Sequence, residues 1–158
     1  MTKFSKAFGV NTTQLRVRSF EFNGQKFNVR IPLANEAEEM FKKAENPTPE
    51  HIEEKYQELT KDLIKKKDKL LGKDSGILFK DDDIVVGDNS MRDLAKSQAG
   101  TEIRIVESFK LLIPVDGSDF SDLTYEEINA EFPLPVQLTL VKRIAEVISP
   151  NYEEIRKK

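Results

Sequence analysis

Apolar and polar residues alternate most regularly over residues 14–22 and 25–32, on either side of Asn23-Gly24. Alternation sends side chains to opposite faces of a strand, and Asn-Gly suits a two-residue turn whose central positions both need positive φ. The pattern predicts a β-hairpin. Closing it there pairs Phe20 with Phe27 facing inward and Glu21 with Lys26 facing outward. Towards the open end the apolar phase moves from Phe20 and Phe22 to Leu15 and Val17, while Phe27, Val29 and Ile31 stay in step. One extra residue near Arg18-Ser19 restores the match, which predicts a β-bulge.

After the hairpin the period lengthens to that of a helix. Residues 1–13 read as a polar arm, and Pro32 and the Asn35 region lead to a helix of three turns that stops before Asn46-Pro47. Thr48-Pro49 is an N-cap followed by proline at the first helical position, where its missing N–H costs nothing. The helix it opens carries Ile52, Tyr56, Leu59, Leu63 and Leu70, with Lys66 interrupting the seam. Run to Leu71, with Gly72 as its stop, it would be about 35 Å long.

Residues 73–76 read as a loop. Ile77-Leu78-Phe79 and Ile84-Val85-Val86 suggest a second small pair of strands around Asp81-Asp82-Asp83. Asp88 or Asn89 then caps a helix that Gly100 ends, and residues 101–113 form another, although Ile103 and Ile105 alternate like a strand. Asp116-Gly117-Ser118-Asp119 is a turn. Thr124-Tyr125-Glu126-Glu127 matches a capping box ahead of a short helix ending at Pro133. Residues 135–148 are apolar over most of the circumference, leaving a polar stripe of Thr139, Lys142, Arg143 and Glu146, so this helix is expected to be the most buried. Ser149-Pro150 ends it, and residues 151–155 can form one terminal turn. The expected fold class is α+β, mainly α, with an N-terminal β-hairpin followed by a multi-helix domain.

At 158 residues, with 38% hydrophobic and 34% charged side chains, the chain suits one charged-surface globular domain. Its 25 basic and 28 acidic residues leave a net charge of −3, which gives no general attraction to phosphate backbones. Nucleic acid is not an expected partner. Without cysteine it forms neither disulfides nor thiolate metal sites. No segment approaches the roughly 18 apolar residues of a membrane span, and Met1 to Phe8 leads into no apolar signal region. A cytoplasmic protein is expected.

Candidate chemistry is sparse. The one histidine, His51, has no cysteine, second histidine or serine motif near it in sequence and reads as a surface residue. Asp81 to Asp83 lack the alternating ligands and glycine bend of a hard-cation loop. Asp116, Ser118 and Glu127 have the outer spacing of a calcium loop, but Ser121 stands where its glycine belongs. No glycine-rich phosphate loop occurs. Lys61, Lys65, Lys66, Lys67 and Lys69 form a basic patch without interleaved aromatics, the pattern of a solvated helix face. No catalytic, metal or cofactor residue is therefore assigned. The remaining candidates are apolar partner contacts, Phe20, Phe22 and Phe27 on the hairpin and Ile128, Phe132, Leu134 and Val136 after the capping box, each of which reads first as core and second as a partner site.

Two segments carry a resemblance. Phe20-Glu21-Phe22-Asn23-Gly24-Gln25-Lys26-Phe27-Asn28-Val29 is similar to the strand, turn and strand that open the tail assembly chaperones of long-tailed bacteriophages of the siphophage type. Tyr125-Glu126-Glu127-Ile128-Asn129-Ala130-Glu131-Phe132-Pro133-Leu134-Pro135, followed by an apolar helix, resembles a later segment of the same family. The resemblance implies a viral protein that is not an enzyme and needs no cofactor. It would act in the host cytoplasm, bind the tape measure protein and tail tube protein during tail assembly, and be absent from the finished virion. In many relatives a ribosomal frameshift appends a second domain, and the paired lysines Lys157-Lys158 suit such a slip. A contrasting expectation is a tail completion or connector protein retained in the particle, which mass spectrometry of virions would detect. The long charged helix also leads us to expect a weak homo-oligomer.

Overall fold

In the computed structural model, which describes residues 2–71 and 75–149, Asn23 and Gly24 take φ values of 51° and 74°, as the turn requires. They join β1 (Val17–Phe22) to β2 (Gln25–Arg30) as an antiparallel hairpin. Phe20 faces Phe27 with ring centroids 5.4 Å apart, and Glu21 faces Lys26. The expected bulge at Arg18-Ser19 is absent, since the ladder runs unbroken from Val17 opposite Arg30 to Phe22 opposite Gln25. The phase conflict is resolved differently. Leu15 lies in a 3₁₀ turn (Gln14–Arg16), Val17 is exposed, and Arg18 takes a position on the core-facing side, from which its guanidinium donates to the Val147 carbonyl at 2.9 Å.

The N-terminal arm also departs from expectation. It contains α1 (Lys3–Phe8), capped by the Thr2 hydroxyl, which accepts from the Ser5 N–H at 3.1 Å, and stopped by Gly9 at φ 64°. Helix α2 (Ala34–Glu45) starts one residue before Asn35. Its first turn is fixed by Glu36, whose carboxylate accepts from the Leu33 N–H at 2.7 Å and from Arg16 and Arg30 at 2.9 and 3.0 Å. The Leu33 bond, with the two guanidiniums, holds the Glu36 carboxyl below its usual range despite partial desolvation.

Tertiary contacts fall into two units, residues 1–40 with 104–158 and residues 41–103. In the first, Phe20, Val29, Ile105, Phe109, Leu111, Ile128, Leu140 and Ile144 form the core. Helix α6 (Tyr125–Glu131) has the expected capping box: the Glu127 N–H donates to the Thr124 hydroxyl at 3.3 Å and the Thr124 N–H to the Glu127 carboxylate at 2.8 Å. Helix α7 (Leu134–Ile148) buries Leu140 and Ile144, but also Gln137, while Leu138 is exposed. The all-round apolar helix thus has one wet face.

The second unit holds α3 (Pro49–Lys65), the single turn α4 (Lys67–Leu70) and a three-stranded sheet. The long helix is shorter than expected because it breaks at Lys66, the residue that interrupts its apolar seam; there φ is −97° and ψ 9°. Without an apolar contact at that position nothing holds the next turn in line. Strands β3 (Ile77–Phe79) and β4 (Ile84–Val86) form the expected pair, and β5 (Asn89–Ser90) adds a third. Asn89 therefore belongs to a strand and does not cap the next helix. Ser90 does, its hydroxyl accepting from the Asp93 N–H at 3.2 Å.

Helix α5 (Met91–Phe109) runs straight through Gly100, which is no stop. A side chain at Gly100 would lie 2.6 Å from the Ala44 carbonyl oxygen, so the glycine permits a close backbone approach. The helix then ends four residues earlier than residue 113. The expected Gly72 stop, the 73–74 part of the loop, the break at Pro150 and the turn over 151–155 lie outside the described residues. With 57% of the described residues in helices and 14% in strands, the fold is α+β and mainly α.

Asp83 is the keystone of the small sheet. Its carboxylate accepts from the Ile84 N–H at 2.8 Å, the Arg92 N–H at 3.1 Å and the Ser90 hydroxyl, tying β4 to the first turn of α5. Burial would raise its pKa, but these bonds and the Arg92 charge outweigh burial and hold it below the usual value. Asp83→Ala should cost about 1–2 kcal/mol, the loss of a helix cap. A group depressed on folding stabilises above its unfolded-chain pKa, near 3.8, and loses that contribution as pH falls through the lower folded value. Urea unfolding across pH should therefore show the wild type and Asp83→Ala converging in stability at the acid end; a gap unchanged there would contradict this role.

Candidate partner-binding site

The first unit carries an apolar groove of about 290 Å³. Its construction begins where α5 ends. After Phe109 the chain turns extended, and residues 111–113 lie along β2: the Arg30 N–H donates to the Leu111 carbonyl at 2.8 Å and the Ile113 N–H to the Asn28 carbonyl at 2.9 Å. This isolated bridge, Leu112 opposite Val29, sets Leu112 and Ile113 beside Phe27. Pro114 and Val115 continue the lip, with Val115 98% exposed.

Two side-chain turns then bring the chain back. The Ser118 N–H and hydroxyl donate to Asp116 Oδ1 at 3.0 and 2.6 Å, and the Ser121 N–H donates to Asp119 Oδ1 at 2.9 Å. Those hydrogen bonds hold both carboxyls below their usual range. Phe120, inside the second turn, is thereby returned to the groove wall.

The far wall is Glu131-Phe132 at the end of α6. Phe132 meets Phe109 edge to face, with centroids 5.7 Å apart. The buried Gln137 amide donates to the Phe132 carbonyl at 2.7 Å and to Asn129 Oδ1 at 3.2 Å, which pins the turn between α6 and α7. Gln25, Lys26 and Asn28 rim the opposite side, so the titratable groups of the groove are Lys26 and Glu131. An arrangement of this kind takes up large apolar side chains and orients a partner through one cation and one carboxylate.

Of the candidates read from the sequence, Phe27 and Phe132 meet in this groove. Phe20 and Ile128 are core, Phe22 and Val136 are half-buried against it, and Leu134 is 48% exposed outside the groove. The sequence reading missed Phe109, Leu112, Ile113, Val115 and Phe120. Pro114 was the available signal, since the residue before a proline is driven to extended backbone and a helix through Ile113 is thereby disfavoured.

Other sequence candidates have structural partners. His51, expected as a surface residue, is half-buried with Nε2 2.8 Å from Glu102, which also accepts from Lys55 at 2.6 Å. Burial opposes the Lys55 charge, but the bonds from Glu102 and Glu58 outweigh it and raise the ammonium pKa. The Arg92 guanidinium stacks 4.0 Å from the Tyr56 ring centroid and donates to Glu53 at 2.7 Å. Lys61, Lys65, Lys66, Lys67 and Lys69 are exposed. Among the described residues no cluster of three or more His, Cys, Asp or Glu could hold a metal, and no helix is long and apolar enough to cross a membrane. No protein-family profile, curated protein or solved structure matches the chain.

Proposed function

We propose that the protein is a non-catalytic assembly chaperone of the phage-tail type, which binds the tape measure protein and tail tube subunits in the host cytoplasm and covers their apolar segments until they assemble. One observation carries the reading. The two segments that resemble this family, 20–29 and 125–135, both line the groove: the first contributes Gln25, Lys26, Phe27 and Asn28, the second Glu131 and Phe132. A client helix would lay an apolar stripe into it. Seating one Leu, Phe or Met side chain contributes roughly 1.5–3 kcal/mol.

Co-expression supplies the test. The wild-type chain should raise the soluble fraction of the tape measure protein. Val115→Lys, which puts a charge on the lip at a side chain that packs on nothing, should fold normally and lose most of that effect. Equal solubility with and without the wild-type chain would refute the chaperone reading.

A further inference from the structure

Helix α1 has six residues, buries none of them, and points Phe4 and Phe8 outward at 63% and 70% exposure. The two rings are stacked with centroids 6.4 Å apart and planes within 7°, so they form a single preassembled apolar knob. Helices shorter than about 12 residues are marginal in water without a surface to pack on. The groove is the matching surface, and no residue of α1 lines it.

Charge favours the same match. Residues 1–18 carry Lys3, Lys6, Arg16 and Arg18 and no acidic side chain. The stretch 116–131, which contributes Phe120 and Glu131 to the groove, carries Asp116, Asp119, Asp122, Glu126, Glu127 and Glu131 and no basic side chain. Within α1 itself, Lys3 and Lys6 flank Phe4, so an apolar knob with a cationic collar matches an apolar groove whose one carboxylate, Glu131, ends an acidic segment, with Lys26 on the opposite rim.

We propose that the groove is occupied by α1 of a second copy of this chain, with Phe4 and Phe8 seated among Phe27, Val115, Phe120 and Phe132 and with Lys3 and Lys6 towards Glu131 and the acidic 116–131 segment, away from Lys26. The contact joins two different surfaces, so each copy offers one knob and one groove. It concerns copies of this chain alone and stands independently of the chaperone reading. A client segment entering the groove would have to displace α1, which makes self-association and client binding mutually exclusive.

Sedimentation velocity of the full chain over a concentration series tests this without any client. The wild type should associate as concentration rises. Phe4→Ser/Phe8→Ser, which removes the knob at exposed positions, and Val115→Lys, which spoils the groove, should each stay monomeric. Mixed in equal amounts, they should form a one-to-one complex, because the intact knob of Val115→Lys meets the intact groove of the other. A wild type that is monomeric throughout overturns the proposal, as does a knobless variant that associates like wild type or a mixture that stays monomeric.

Discussion

Phe109→Ala should lower the stability of the first unit by about 3–5 kcal/mol, the usual cost of removing a buried phenylalanine. The side chain is 4% exposed, belongs to the core cluster and also floors the groove. Truncation would therefore open the groove downward. Surrounding side chains cannot close that space cheaply, because the backbone of Phe132 is held by the Gln137 bond to its carbonyl and that of Leu112 by its bridge to Val29 on β2. Phe132→Ala removes the other half of the edge-to-face pair from a half-buried position and should cost less, about 1–2 kcal/mol. Phe109→Leu keeps most of the volume and should cost under about 1.5 kcal/mol. Urea unfolding of the three variants should show that order; a Phe109→Ala midpoint within error of wild type would mean that Phe109 is not part of the core.

Local signals were the most legible. Asn23-Gly24 fixes its own turn, and the alternation on both sides fixes the register, so the Phe20–Phe27 and Glu21–Lys26 pairs follow from the sequence. Thr48-Pro49 and the Thr124–Glu127 box likewise carry their helix starts within four residues. A bulge would follow only if every apolar residue needed the core. Leu15 and Val17 are left exposed, and Arg18 is accommodated by a carbonyl acceptor on α7, a partner 129 residues away that no local pattern reveals.

Long-range reasons also decided the other misreadings. Gly100 is spelled like a helix stop, and only its approach to Ala44 explains a glycine in mid-helix. Asp83 looks like part of a solvated acidic run, yet its acceptors are filled by N–H and hydroxyl groups brought together by β4, β5 and α5. The groove was half legible. Phe27 and Phe132 were named from two separate motifs, but the walls supplied by Leu112 to Phe120 depend on a strand pairing outside any motif.

Gly100 bears the second large effect, in the other unit. An alanine in mid-helix normally gains about 1 kcal/mol over glycine. Here its Cβ would lie 2.6 Å from the Ala44 carbonyl oxygen, a distance that side-chain rotation cannot relieve because both groups are backbone-fixed. Overpacking of this kind costs about 1–3 kcal/mol and exceeds the helical gain, so Gly100→Ala should be destabilising; Gly100→Val, with two further methyls and a lower helix propensity, should lose about 3 kcal/mol or more. Ala44→Gly should not rescue either, since the obstructing atom belongs to the backbone. A rise in Tm for Gly100→Ala, or rescue by Ala44→Gly, would contradict this account. Paired with Phe109→Ala, the experiment also measures cooperativity. If the chain unfolds as one domain, both variants lower the same transition; if the units at 41–103 and around Phe109 unfold separately, each variant lowers only its own.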